Sequence, residues 1–274
     1  MGEGIVPTDV WDYELSGTTD EGGLEVKALF GEAVFDHPKP TKVIKRMLSL
    51  ATTNGSGDIV LDFFAGSGST GHAVVDQNEQ DGGNRRFVLV QLPEPTMRSD
   101  FPTITELCEE RIRRIIQKLA EADAGKLDMD AGQKQERGFR VFKLAESNFS
   151  PWDAEAPKDA ELLAKQLDLH IHHIRDGRTE QDLLFELLLK SGFPLTTPVE
   201  KLRLPPHPSP LPPGERDTSK TVYSVANGAM LICLERELTL DLVRAMADKK
   251  PERVVCLDEG FTGNDQLKAN AVAK

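Results

Sequence analysis

The run Asp62-Phe63-Phe64-Ala65-Gly66-Ser67-Gly68-Ser69-Thr70-Gly71 follows directly on the apolar stretch Ile59-Val60-Leu61. Residues of these types in this order can hold a nucleoside-bearing ligand. Glycines just past an apolar strand leave free the space that side chains would fill, and glycine alone enters φ > 0 without steric cost. Ser69 to Asp76 carries Ala73, Val74 and Val75 and reads as the opening of a helix. A strand, a tight glycine turn and a helix N-terminus make a ligand crevice at the end of a sheet strand.

The spacing leaves the ligand open. Gly66, Gly68 and Gly71 satisfy G-x-G-x-x-G, the fingerprint of dinucleotide binding, but a lone match is weak. That fingerprint expects an acid about 20 residues on, at the end of the second strand, to hold ribose hydroxyls. The second strand is expected over Phe87-Val88-Leu89-Val90, where Gln91 stands in place of the acid and Glu94 lies three residues beyond. A phosphate loop of the G-x-x-x-x-G-K-[ST] kind is excluded because no Lys follows the glycines. A turn that merely lets a helix pack on a strand remains the bland alternative.

Phe64-Ala65-Gly66-Ser67-Gly68 is similar to the FxGxG motif of amino-group DNA methyltransferases, which bind S-adenosylmethionine. Phe35-Asp36-His37-Pro38-Lys39-Pro40 resembles the segment these enzymes place just before that motif, closing over the methionine end of the cofactor. Arg85-Arg86-Phe87-Val88-Leu89-Val90-Gln91-Leu92-Pro93-Glu94-Pro95 resembles the second cofactor strand of the modification subunits of type III restriction–modification systems. Gly138 to Leu144, Ser147-Asn148-Phe149, Trp152-Asp153 and the run from Leu257 to Asn270 continue the likeness in the same order. The resemblance reaches from Val10 to the last residue.

The resemblance implies roles residue by residue. Phe64 would pack against S-adenosylmethionine, while Gly66 and Gly68 would let the backbone approach it. Asp62 would face the methionine amino group, and Lys39 and Pro40 would line the methionine end. Ala65, Ser67 and Thr70 complete the cofactor-binding set. Gln91, with Glu94 as a substitute, stands where the ribose-binding acid is expected, and a neutral amide accepts hydrogen bonds more weakly than a carboxylate. The family's catalytic DPPY motif, which orients the target adenine's amino nitrogen for in-line attack, has no counterpart in this sequence. The Pro-Pro pairs, Pro205-Pro206 and Pro212-Pro213, follow no acid or amide, and none of Cys108, Cys233 and Cys256 adjoins the proline of a cytosine-methylating nucleophile. No catalytic residue is assigned. The expectation is the cofactor half-site of an adenine-specific DNA methyltransferase, with DNA bound through a missing N-terminal part. A restriction subunit and a second methyltransferase copy are the protein partners implied. An inactive fragment or interaction subunit is the alternative, and a nicotinamide-dependent oxidoreductase a more distant one.

Composition narrows the class. Three cysteines in 274 residues are too few for a disulfide framework and suit a reducing compartment. No apolar run reaches a membrane span and no signal pattern opens the chain, so a cytoplasmic protein without membrane contact is expected. The net charge of −12 argues against this chain as the main DNA-gripping surface. Most of the excess lies in residues 1–36, with nine acids and Lys27 as the single base. That head reads as a solvated, turn-rich segment with a short helix around Leu24–Phe30. Arg111, Arg113 and Arg114 read as a solvated helix face paired with Glu109 and Glu110. His170, His172 and His173 lack a third ligand at metal-site spacing, and no metal is expected.

An α/β chain follows: a partial Rossmann-like, S-adenosylmethionine-dependent methyltransferase sheet over residues 1–150, and a smaller C-terminal α/β module over 151–274. Helices are expected over Thr41–Thr52, with Thr41 as N-cap, and over Ile104–Ala122. Glu79 to Asn84 reads as a connector between the parallel strands, and Phe139–Leu144 as a further strand by alternation. A boundary is placed near Pro151–Pro157. Beyond it come helices over Asp159–Ile174 and Glu180–Ser191, then a proline-rich loop over residues 204–217. A hairpin around Asn227-Gly228, a helix over Leu238–Ala247 and a strand over Arg253–Leu257 complete the module.

Overall fold

The described part of the acidic head carries two helices. Tyr13–Ser16 (α1) is capped by Asp12, whose carboxylate accepts from the Leu15 N–H at 3.0 Å, and Thr19–Phe30 (α2) by Thr18, which accepts from Glu21. Glu14, Asp20 and Glu21 sit in first turns, where the helix dipole favours negative charge. The expected turn-rich segment is thus corrected to helix, while most of its described residues are exposed as expected. Gly22 serves close packing: a Cβ there would stand 2.1 Å from the Pro38 carbonyl oxygen and 2.9 Å from Pro40 N. Val26, one turn on, is buried with Val34 and Leu107.

This makes two adjacent glycines behave oppositely. Gly22→Ala should destabilise the N-terminal unit by about 1–3 kcal/mol, the range for overpacking a site that cannot yield. At Gly23 a Cβ meets nothing within 4 Å, so Gly23→Ala should stabilise by roughly 0.5–1 kcal/mol through helix propensity. Urea unfolding of both variants checks the pair, and equal midpoints would contradict it.

The computed structural model describes residues 8–124, 137–150, 174–204 and 219–261. The chain is mixed α/β and divides into two units, Met1–Lys143 and Leu144–Lys274. No helix among the described residues is long and apolar enough to cross a membrane. The expected boundary at 151–157, the helix over 159–173, the three histidines, the proline-rich residues 205–217 and the run from 262 onward lie outside the described residues.

In the first unit Thr41–Ala51 (α3) leads to Ile59–Asp62 (β1), Ser69–Asp81 (α4), Arg86–Leu89 (β2) and Ile104–Ala124 (α5). Thr41 is the first helical residue and Pro40 the N-cap, which corrects the expected cap. A carboxylate from another helix does the capping: Glu25 accepts from the Thr41 N–H at 3.0 Å and its hydroxyl at 2.8 Å. Helix α4 runs to Asp81 and stops at Gly82, φ 67°, so the connector is shorter than expected. β1 and β2 pair in parallel, Ile59 against Arg86 through Asp62 against Leu89. Val60 and Phe87 pack on Ile44, Leu48, Ala73 and Val74 of α3 and α4. The opposite face carries Ile59 at 58%, Leu61 at 60% and Val88 at 44% exposure. Parallel strands are ordinarily covered on both faces, so this sheet presents an apolar side open to a further layer.

Phe139–Leu144 joins neither sheet, and Val141, Phe142 and Leu144 are exposed. Alternation states which face a strand would bury; it does not supply an edge to pair with.

The second unit is a four-stranded sheet of Val199–Leu204 (β3), Lys220–Val225 (β4), Met230–Cys233 (β5) and Arg253–Cys256 (β6), antiparallel except for the parallel last pair. Glu180–Lys190 (α6) covers one face, with Leu183, Leu184 and Leu188 on Tyr223, Val225, Met230 and Ile232. Leu240–Ala247 (α7) covers the other, with Leu242 and Met246 on Leu204, Val222, Leu231 and Cys233. The turn at Ala226, Asn227 and Gly228 takes φ of 50°, 58° and 95°, as its Asn-Gly pair announces. β3 has no counterpart among the expected strands. Its Glu200, Lys201 and Arg203 belong to an edge strand, where charge is protective.

Candidate functional site

The glycine turn extends the parallel ladder beyond its strands. The Val90 N–H donates to the Asp62 carbonyl at 2.8 Å, and the Ala65 N–H to the Val90 carbonyl at 3.1 Å. Asp62 then organises the loop with its carboxylate: one oxygen accepts from the Phe64 N–H at 3.1 Å, the other from the Thr70 hydroxyl at 2.5 Å. Gln91, at the end of β2, reaches back so that its Oε1 accepts from the Gly66 N–H at 2.8 Å. Its carbonyl thereby holds the turn. Its amide nitrogen donates to the Leu92 carbonyl at 3.2 Å. Glu94 is exposed, with its backbone tied to Leu92 and Ile104.

The two glycines of the motif are glycines for different reasons. Gly66 has φ 53°, and a Cβ there would meet only the Phe35 ring edge at 3.8 Å and the Phe64 carbonyl oxygen at 3.9 Å. A side chain's first carbon would therefore meet no steric clash there. Gly68 has φ 79°, and its Cβ would lie 2.9 Å from Cys108 Sγ and 3.3 Å from the Cys108 carbonyl oxygen. Its small size lets α5 press against the turn from behind. Ala65, Ser67 and Gly68 are buried, whereas Phe64 is 81% exposed beside Phe63, the two ring centroids 5.1 Å apart.

Lys39 and Pro40 form the neighbouring wall. The Ser69 hydroxyl donates to the Lys39 carbonyl at 2.9 Å, which joins this segment to the start of α4. Pro38 and Pro40 are buried while the Lys39 side chain is exposed. Of the residues singled out from sequence, Asp62 is bonded directly to Phe64 and Thr70, and Gln91 to Gly66.

A buried polar network behind the turn was not foreseen. Arg111 is fully buried, which corrects its reading as part of a solvated face; Arg113 and Arg114 do pair with Glu109 and Glu110. The Arg111 guanidinium donates to Ser67 Oγ and Ser69 Oγ, both at 2.9 Å, and to His72 Nδ1 at 3.3 Å. It also approaches Glu25 at 3.4 Å. On the far side of the imidazole, Asp76 lies 3.5 Å from His72 Nε2 and 3.5 Å from Lys45. One signal could have revealed it: Arg111 stands four residues from both Leu107 and Ile115, on the buried stripe of α5.

Burial, with Arg111, Lys45 and Lys118 nearby, pushes the His72 pKa down to about 3. Between that value and the ordinary 6.5, the unfolded chain binds a proton that the folded chain does not. Stability therefore rises with pH across this window and falls on acidification, by about 1.4 kcal/mol per pH unit where the unfolded histidine is protonated. Burial raises the Asp76 pKa, which acts with opposite sign around its own titration. The urea midpoint of the N-terminal unit should drop between pH 7 and pH 5, and His72→Asn should flatten the drop. An equal drop in the variant would mean that other groups set it.

Among the described residues no group of three His, Cys, Asp or Glu could hold a metal ion. Comparison with known proteins is specific. Residues 2–120 match the family described as DNA methylase. The chain is 41% identical over 123 residues to the Mod subunit of the type III restriction-modification enzyme StyLTI of Salmonella typhimurium, 43% of this chain and 18% of the relative. It is 29% identical over 258 residues to the EcoP15I Mod subunit of Escherichia coli, 91% of this chain and 35% of the relative. It is 28% identical over 206 residues to the EcoPI Mod subunit of Escherichia phage P1, 72% of this chain and 29% of the relative. The resemblance drawn from the motifs is borne out, and the chain spans about a third or less of the length of these relatives.

Proposed function

We propose that this chain supplies the S-adenosylmethionine half-site of an adenine-specific DNA methyltransferase of a type III restriction–modification system. The observation that carries the reading is the open glycine turn at the end of β1. Gly66 is half-buried and a Cβ there would make only ordinary contacts, with exposed Phe64 beside it and a parallel β1–α4–β2 unit beneath. That is the first half of a Rossmann-like nucleoside site, with the ligand outside the carboxyl ends of the strands.

The residues suit the cofactor. Phe64 offers an exposed ring for the adenosine, and Gly66 admits close backbone approach. A carboxylate has about four lone-pair sites, so Asp62 can take the methionine ammonium while still holding Phe64 and Thr70. Lys39 and Pro40 form the wall at the methionine end, tied in through Ser69. Ala65, Ser67, Gly68 and Thr70 shape the turn. Gln91, anchored on Gly66, places its amide at the ribose edge, with Glu94 further along. When bound, the cofactor would supply an electrophilic sulfonium methyl; this chain's residues would bind and orient it. The adenine is held by the remainder of the enzyme, which also carries the grip on DNA. Residues 1–150 are the cofactor-binding part and 151–274 a C-terminal module whose proline-rich residues 205–217 follow β3 in sequence. A restriction subunit and a second methyltransferase copy are the protein partners, and the setting is cytoplasmic.

Calorimetric titration with S-adenosylmethionine and, in parallel, NAD tests the reading. Saturable binding of S-adenosylmethionine with no NAD heat is expected. NAD binding alone would favour the oxidoreductase and overturn the proposal.

A further inference from the structure

We propose that Arg111 is a positioning residue for the cofactor turn, clamping the glycine loop and the Lys39–Pro40 wall to one buried guanidinium. This rests on the cofactor site proposed above. Arg111 touches the glycine turn directly and reaches the Lys39–Pro40 wall through Ser69 and Glu25. Through Nη1 it donates to the Ser67 and Ser69 hydroxyls, one on each side of Gly68. Through Nη2 it faces Glu25, which accepts from the Thr41 N–H and hydroxyl directly after Pro40. Its Nε and Nη2 share His72 Nδ1 at 3.3 Å and 3.2 Å.

Direction matters along these bonds. A guanidinium only donates, so both serine oxygens accept from it and their protons remain free. Ser69 uses its own proton on the Lys39 carbonyl at 2.9 Å. Arg111, Ser69 and Lys39 thus form a chain of fixed polarity from α5 through the turn to the opposite wall. Glu25, Thr41 and Pro40 form a second chain to the same wall. Five donors in a planar fork serve four side chains, which the ammonium of lysine cannot reproduce in the same place. Arg111 therefore sets the distance between Gly66 and Lys39, the width of the crevice.

The test is Arg111→Lys in the full chain, read by hydrogen exchange and S-adenosylmethionine titration together. Exchange in residues 64–70 should rise about tenfold while residues 43–50 and 86–89 keep their protection, a local opening rather than a global one. Affinity should fall about tenfold, the size of one lost charge-assisted hydrogen bond. Exchange rising equally over all these segments would assign Arg111 to general stability and overturn the proposal. Unchanged exchange in the turn, or unchanged affinity in a folded variant, would overturn it too. Should Arg111→Lys not fold, Ser67→Ala is read in the same way, because it removes one arm and leaves the charge paired with Glu25. If the unaltered chain binds no S-adenosylmethionine, the cofactor reading falls, while the exchange comparison still decides whether Arg111 holds the turn.

Discussion

Gly66→Leu is expected to reduce S-adenosylmethionine affinity by at least about 100-fold, equivalent to roughly 2.8 kcal/mol, while the N-terminal unit stays folded. The separation of the two effects follows from what surrounds the position. A Cβ at Gly66 touches nothing closer than 3.8 Å, so the first carbon of the added side chain displaces no packed atom. The left-handed φ of 53° carries its own penalty for a leucine, of about 1–2 kcal/mol. That penalty lowers the urea midpoint without abolishing the transition. Gly68→Leu should do the reverse: its side chain would be driven into Cys108, and folding rather than binding would fail. Calorimetry and urea unfolding on both variants separate these outcomes. Affinity within about threefold of the unaltered chain for folded Gly66→Leu would place the cofactor elsewhere, since the loss expected from a filled crevice is far larger.

The parts of this structure legible in sequence are those that local pattern determines. Ile59-Val60-Leu61 before a glycine turn, and Phe87 to Val90 after one helix, located β1 and β2 to within a residue, because a βαβ unit leaves few other ways to bury both runs. The Asn227-Gly228 hairpin was equally plain. Two glycines at the turn were visible too, though their separate reasons were not. That Gly68 yields to Cys108 depends on α5, which arrives about 40 residues later in the chain.

The parts missed depend on partners distant in sequence. Thr41 looked like its own cap, but Glu25 supplies the acceptor from 16 residues upstream. Gly22, not singled out in sequence, is the contact by which α2 lies on residues 38–40. Arg111 was judged by its charge and by Glu109 and Glu110 next to it. Its neighbours at one-turn spacing, Leu107 and Ile115, are both buried, and a charge on that stripe must find partners inside. It finds Ser67, Ser69, His72 and Glu25. Helical phase therefore carried more information than charge did.

The last prediction is that the chain transfers no methyl group to DNA even when saturated with S-adenosylmethionine. A sulfonium methyl is reactive, but methylation requires the adenine amino nitrogen held in line with it. Such positioning contributes effective concentrations on the order of 10⁵ M or more, and acceptors that stabilise developing charge add about 10²–10³ each. The sequence holds no DPPY-type run to provide either, and the glycine turn provides neither. Long-range attraction does not compensate, since the chain is net −12 and would repel phosphate. The exposed Ile59, Leu61 and Val88 also mark a sheet face made to be covered. Radiolabelled methyl transfer to mixed-sequence duplex DNA, with a complete type III Mod subunit as positive control, measures this directly. Counts at background with the control active are expected. Turnover above background that is lost in Gly66→Leu would show that this chain contains its own amino-group acceptors, and would require the half-site reading to be replaced by a complete one.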